Sequence, residues 1–195
     1  MGIHEAPTPK HWNYFLAVEA DLIRLSRYLE PTKDNFAAYS LELTRILFAA
    51  ATEVDVVCRR FCEKLDKKTK SDNIIKYRKR ILLSYPNIID ALVQIPRFGL
   101  TLNPWEQWGK EASPVWWKAY NNVKHQRDIH FSEASLRHTL NAVGGLFVLL
   151  LFFYRNEAKN GLLNPDPEIF RAGPPFHVDT MLYAPHSTIY ALEGE

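Results

Sequence analysis

Residues 40–65, SLELTRILFAAATEVDVVCRRFCEKL, are the most regular stretch of the chain. Leu43, Leu47, Ala50, Val54, Val57 and Phe61 recur in steps of four and three, with Phe36 ahead of them. That spacing is one face of a helix with about 3.6 residues per turn. The pattern predicts a helix over residues 34–68, about 50 Å long at ~1.5 Å per residue. A stripe of this regularity needs a partner helix along its length, either in the core of a bundle or along a dimer seam.

The chain on either side also reads as helix. Thr8-Pro9 has the form of a cap followed by proline. Trp12, Phe15, Leu16, Leu22, Ile23 and Leu29 then repeat at helical spacing until Pro31, with Glu19, Asp21, Arg24 and Arg27 as the polar residues between them. Ser71 opens a third helix carrying Ile74, Tyr77, Ile81, Leu82 and Tyr85, which Pro86 interrupts. Residues 87–93 continue it as a kinked or separate short helix. Over residues 94–113 the pattern dissolves among Pro96, Gly99, Pro104 and Gly109, with Trp105 and Trp108 between them. Irregular segments of that length are uncommon and often functional; the indoles can equally plug the bundle.

Ser113-Pro114 starts a helix over residues 115–128, and another follows over 132–159. The second half of the latter is apolar on every side, so other helices must surround it. Gly144 and Gly145 inside it cost about 1 kcal/mol each relative to alanine. That cost makes sense where another helix or a bulky ring crosses closely. After Gly161 the prolines at 165, 167, 174, 175 and 185 exclude long helices. Weak strand character at 176–183 and 188–192 predicts an extended tail or a small hairpin lying on the bundle. The expected fold is all-α: a bundle of four to five main helices over residues 1–160, with an irregular Pro/Trp-rich insertion and an extended C-terminal tail over 161–195.

Composition narrows the class. The 195 residues are 47% apolar, 13% aromatic and 24% charged, which is globular and excludes a disordered tail. Eight glycines and two cysteines exclude collagen-like and disulfide-scaffold chains. The net charge of +2 points to no particular partner. Its distribution is uneven: residues 59–80 hold ten Lys/Arg against three Asp/Glu, while residues 156–195 hold two against six. A basic run of this kind gathers polyanions by screened attraction or is a solvated helix end. Cys58 and Cys62 lie four apart among apolar residues, a poor disulfide geometry on a helix. They read as small buried hydrophobes in a reducing, cytoplasmic compartment.

No membrane partner is expected. Residues 142–154, AVGGLFVLLLFFY, are uncharged, but a helix of that length covers about 20 Å where a bilayer core needs about 30 Å. The first residues, MGIHEAPTPKHW, contain no apolar core of signal-peptide type. Ala6 stands where a myristoylation pattern wants serine or threonine.

The densest polar cluster is WKAYNNVKHQRDIH, residues 117–130. On one continuous helix Asn121, His125 and Asp128 share a face, and Tyr120, Lys124 and Arg127 line the adjacent one. An imidazole one turn from a carboxylate suits acid–base work. Lys124 and Arg127 supply cations for a phosphate, arginine with its planar fork. These are the parts for metal-free phosphodiester cleavage, with His125 moving the proton of a 2′-hydroxyl. The same residues near a helix end also cap and bridge structurally. His125, His130 and His138 do not share a face, and no phosphate loop of the GxGxxG or GxxxxGK[ST] kind is present, so no metal and no cofactor is expected.

The run WWKAYNNVKHQR (116–127), followed by FSEASLRHTLNAVGGLFVLLLFFY (131–154), resembles a prokaryotic branch of the HEPN superfamily with a YNxxKHxR motif. The helix at 40–65 is similar to a HEPN-type first long helix. The likeness covers residues 34–159 and rests on pattern. It implies a small helical bundle of the kind found in toxin–antitoxin, abortive-infection and CRISPR-linked ribonucleases. It further implies RNA as partner and a homodimer that joins two motifs in one cleft. Catalytic HEPN proteins place four to six positions between Arg and His. Here Arg127-Asp128 matches the start, and His130 follows after only two. Arg127 and Asp128 carry over by position, and His130 as the nearest match. His125 rests on the helical-face geometry. The resulting assignment is His125 and Arg127 as catalytic residues, with Tyr120, Asn121, Lys124, Asp128 and His130 binding substrate. The alternative is a non-catalytic interaction or sensor subunit of a larger assembly.

Overall fold

A computed structural model describes residues 8–68, 70–180 and 188–193. Helices α1 (Lys10–Leu25), α2 (Leu41–Leu65) and α3 (Ile74–Ser84) come first, then a 3-10 turn at Pro86–Asp90. Strands β1 (Val93–Ile95) and β2 (Leu100–Leu102) follow, then α4 (Glu106–Gly109), α5 (Val115–His125) and α6 (Arg127–His130). The chain ends with α7 (Leu136–Phe153), α8 (Arg155–Lys159), β3 (Arg171–Ala172), β4 (Phe176–Thr180) and β5 (Thr188–Leu192).

The all-α expectation is corrected. Strands β2, β1 and β3 form one antiparallel sheet, and β4 and β5 form another. The first sheet occupies part of the segment read as irregular. Val93-Gln94-Ile95 and Leu100-Thr101-Leu102 each alternate buried, exposed, buried, the period-two pattern of a half-buried strand. Gly99, at φ +62°, makes the left-handed turn between them. The tail supplies β3, which pairs Ala172 with Val93, while Val178 pairs with Tyr190 across β4 and β5. The expected strand character at residues 181–183, the proline at 185 and the expectations about residues 1–7 lie outside the described residues.

Helix bounds differ from the periodic pattern where caps decide them. Ser40 accepts a hydrogen bond from the Leu43 amide and starts α2, so residues 34–37 form turns instead. At 25 residues, α2 is about 37 Å long. Asn73, not Ser71, caps α3 by accepting from the Lys76 amide. Thr8 does not cap α1. Its hydroxyl donates to the Asn164 carbonyl at 2.8 Å, and α1 ends at Leu25, short of Pro31. Ser135 caps α7, which therefore starts at Leu136 and not at residue 132.

Helix α7 sits at the centre against α1, α2 and α5. It is long and apolar enough to cross a membrane by length and composition, yet 78% of it is buried inside the chain. Phe147 packs on Trp12, Phe15, Phe170 and Tyr190. Trp105 and Trp108 plug the core, and Trp105 Nε1 donates to the Gly145 carbonyl at 3.0 Å. The two mid-helix glycines therefore differ. A Cβ on Gly145 would meet Trp116 Cζ2 at 3.0 Å, while one on Gly144 would rest at 3.6 Å from Leu102 and Val93. Trp116 cannot give way, since it is buried and its Nε1 is held by the Pro104 carbonyl. Opposite signs are expected. Gly144→Ala gains helix propensity of about 1 kcal/mol and raises Tm by about 2–4 °C; Gly145→Ala lowers Tm. Thermal unfolding of the two variants side by side checks this.

Candidate functional site

The polar cluster does not lie on one helix. At Gln126 the backbone turns to φ −143°, ψ 57° and α5 ends; the Gln126 amide closes the last turn on the Asn122 carbonyl at 2.8 Å. Helix α6 begins at Arg127. The expected shared face of Asn121, His125 and Asp128 is thereby broken, and the chain redistributes its residues between two depressions.

Lys124, His125, Arg127 and Asp128 line an open groove of about 660 Å3, walled by Leu41 and Phe48 of α2, by Val123 and by Phe131. Backbone bonds fix these walls. The Leu136 amide donates to the Ala38 carbonyl at 2.8 Å and the Arg137 amide to the Phe36 carbonyl at 3.2 Å, and Tyr39 pairs with Ser135. The start of α2 is thus held against the start of α7, with Phe131 between. All four polar side chains are exposed. Among the described residues none of the four makes a side-chain hydrogen bond or ion pair with the rest of the chain. Lys124 Nζ rests 5.4 Å from the Tyr120 ring centroid, a cation–π contact that leaves its three donors outward.

The remaining expected site residues go elsewhere. Tyr120 is only 5% exposed. Its ring packs edge-to-face with Phe48 at 5.3 Å and tilted against Trp117 at 5.5 Å, so it supports Lys124 and borders the second depression rather than the groove. Asn121 Nδ2 donates to the Trp117 carbonyl at 2.9 Å and faces a second depression of about 450 Å3, which Lys124 also borders. His130 is half-buried with Nδ1 2.7 Å from Glu133 Oε1. A carboxylate accepts, so Nδ1 carries the hydrogen of this contact. Asn122 Nδ2 donates to the other oxygen of the same carboxylate at 2.9 Å.

Asn122 and Glu133 are the site residues that reading the sequence missed. The signal for Glu133 was its place three residues after His130, where side chains on a turn meet. Leu41 and Phe48 gave no such signal, because their partners across the groove lie far along the chain.

Cys58 and Cys62 are free and buried, and burial pushes both thiols up, the opposite of an activated nucleophile. A structural zinc or calcium site needs three or more convergent ligands. The groove offers Asp128 and His125, and among the described residues no three His, Cys, Asp or Glu side chains converge.

Comparison of the chain with protein-family models, with curated proteins and with solved structures found no match in any of the three.

Proposed function

We propose that this chain is an RNA-directed, HEPN-like protein whose groove at the α5–α6 break cleaves a phosphodiester without a metal ion. The observation that carries the reading is the groove itself. It holds two cations, an imidazole and a carboxylate, all open to solvent and, among the described residues, none engaged with another side chain by a hydrogen bond or ion pair. Lys124 and Arg127 neutralise the phosphate, arginine through its planar fork. His125 takes the proton of the 2′-hydroxyl, and the freed oxygen attacks phosphorus. The bond to the 5′-oxygen breaks, that oxygen takes a proton from water, and a 2′,3′-cyclic phosphate remains. The cations stabilise the charge that grows on phosphorus during the attack.

The test is incubation of purified protein with single-stranded RNA in the presence of a chelator. The expected result is cleavage with cyclic-phosphate ends. Arg127→Ala should abolish it and weaken RNA binding by about tenfold, at an unchanged circular dichroism spectrum. Intact RNA with wild-type protein overturns the reading.

A second reading, an interaction subunit, is favoured by one observation. Leu41 and Ile129 are each 69% exposed beside the groove, apolar surface of the kind that partners cover. If a second copy of the chain covers it, light scattering gives a dimer mass, and Ile129→Asp returns the protein to monomer. A monomeric wild type rules out a second copy as the cover.

A further inference from the structure

The basic run at residues 59–80 is not used by the groove, and the structure shows where it goes. It forms the C-terminal end of α2, the connecting turn and α3. Four of its ten cations are neutralised: Arg59 pairs with Asp55, Arg60 with Glu63, Lys76 with Asp72 and Arg80 with Asp66. Lys67, Lys68, Lys70 and Lys79 are exposed and form no ion pair among the described residues, Lys70 acting on Asp72 only at longer range. They border two depressions, of about 450 Å3 and about 330 Å3, that share Lys70 and Ser71.

These depressions continue the groove. Along α2 the walls follow in order. Leu41 and Phe48 belong to the groove, Thr52 and Asp55 to the second depression, Arg59 and Glu63 to the third. Lys124 borders the first and second, and Asp72 the second and third. From Leu41 to Glu63 the helix rises about 33 Å. The middle of this track is electrically balanced by the Asp55–Arg59 and Asp72–Lys76 pairs. Its two ends, Lys124 with Arg127 and the four lysines, are not.

The geometry points to a path for single-stranded RNA along α2, gripped at both cationic ends and loosely held between them. The inference rests on the reading of the groove as an RNA site and adds where the strand runs and how much of it is needed. Lysines facing a backbone fix register without reading sequence, so the far end is a sequence-independent anchor. Two weak grips joined by one strand bind far better than either alone, provided that the strand spans both. A membrane surface fits less well. An interfacial helix presents a broad apolar face, whereas α3 turns Ile74, Tyr77 and Ile81 into the core and exposes only Ile75 and Leu83 as large apolar side chains.

The experiment is fluorescence anisotropy on the full chain with labelled RNA strands of about 16 and about 4 nucleotides. The variants are Lys67→Ala/Lys70→Ala/Lys79→Ala and Arg127→Ala. In wild type the long strand should bind at least tenfold tighter than the short one. The triple variant should lose that advantage. Its slope of log K against log salt should fall by about 2, at about 0.7 per lost phosphate contact. Its cleavage of the short strand should stay unchanged, and Arg127→Ala should keep the lysine-dependent part of the slope. Wild-type affinity and slope in the triple variant overturn the inference while leaving the groove reading intact. Lysine-dependent RNA binding without any cleavage sinks the groove's catalytic role and supports the anchor. Lysine-dependent attachment to phosphatidylserine vesicles, with no lysine-dependent RNA binding, overturns the anchor.

Discussion

RNA cleavage by His125→Ala is expected to fall about 10^2–10^4-fold, the usual contribution of a positioned general base, while Tm stays within about 2 °C of wild type. The second half of that statement follows from the surroundings of His125. It is the last residue of α5, it is exposed, and among the described residues its ring holds no hydrogen bond. Truncating such a side chain changes stability by about 0.5 kcal/mol or less, and each kcal/mol moves Tm by about 2–4 °C in a chain of this size. Loss of activity therefore separates from loss of fold. His130→Ala is the informative partner. It breaks the contact with Glu133 and is expected to cost stability before it costs cleavage. The reverse pattern, with cleavage lost in His130→Ala and kept in His125→Ala, moves the base to the His130–Glu133 pair. That pair has the imidazole–carboxylate form that the sequence assigned to His125 and Asp128. Normal cleavage in both variants rejects an imidazole base altogether.

What the sequence shows and what it hides divide along a physical line. The stripes of α2 and α7 are local, each residue being placed by neighbours three and four positions away, and both helices lie within the spans that the periodicity predicts, shorter at each end. The sheet is not local. Val93 pairs with Leu102 nearby and with Ala172 from the tail, and three-residue strands alternate too briefly to be seen. The end of α5 hides for a related reason. Gln126 is neither glycine nor proline, and the break goes with long-range bonds that tie the start of α2 to the start of α7. This is why Lys124, His125, Arg127 and Asp128 line one groove, while Tyr120 and Asn121 meet Lys124 at the neighbouring depression and His130 turns to Glu133. Burial of Tyr120 depends on Phe48 from another helix, which no wheel drawn on α5 reveals.

Glu19 is the sharpest case of a residue whose sequence position misleads, and its removal should carry the largest loss of stability. It falls among the polar residues of an amphipathic helix, yet it is 2% exposed. Its carboxylate accepts three backbone amides from the tail: Glu168 at 3.0 Å, Ile169 at 2.9 Å and Phe170 at 3.1 Å. These bonds seat Phe170 against Phe15 and Phe147 and lead the chain into β3. Glu19→Ala leaves three donors without an acceptor. At about 1 kcal/mol each, the low end for such groups, the loss is about 3 kcal/mol, a fall in Tm of about 6–12 °C. Hydrogen exchange should open at residues 168–172 first. Glu19→Gln keeps one acceptor oxygen, the one facing Ile169 and Phe170, and should lose less.

The same carboxyl gives a pH signature. Burial raises its pKa above the ordinary carboxylate range, opposed by the three amides and by Arg171. The folded chain thus holds this proton more tightly than the unfolded one does. Its contribution to stability is full below the ordinary carboxylate pKa and is lost as pH rises through the raised value. Denaturant unfolding of wild type and Glu19→Gln across that window should show wild type gaining on the variant as pH falls, with a constant difference above it. A difference that narrows on acidification means that the amides outweigh burial, and that Glu19 holds the tail as a charge rather than in spite of it.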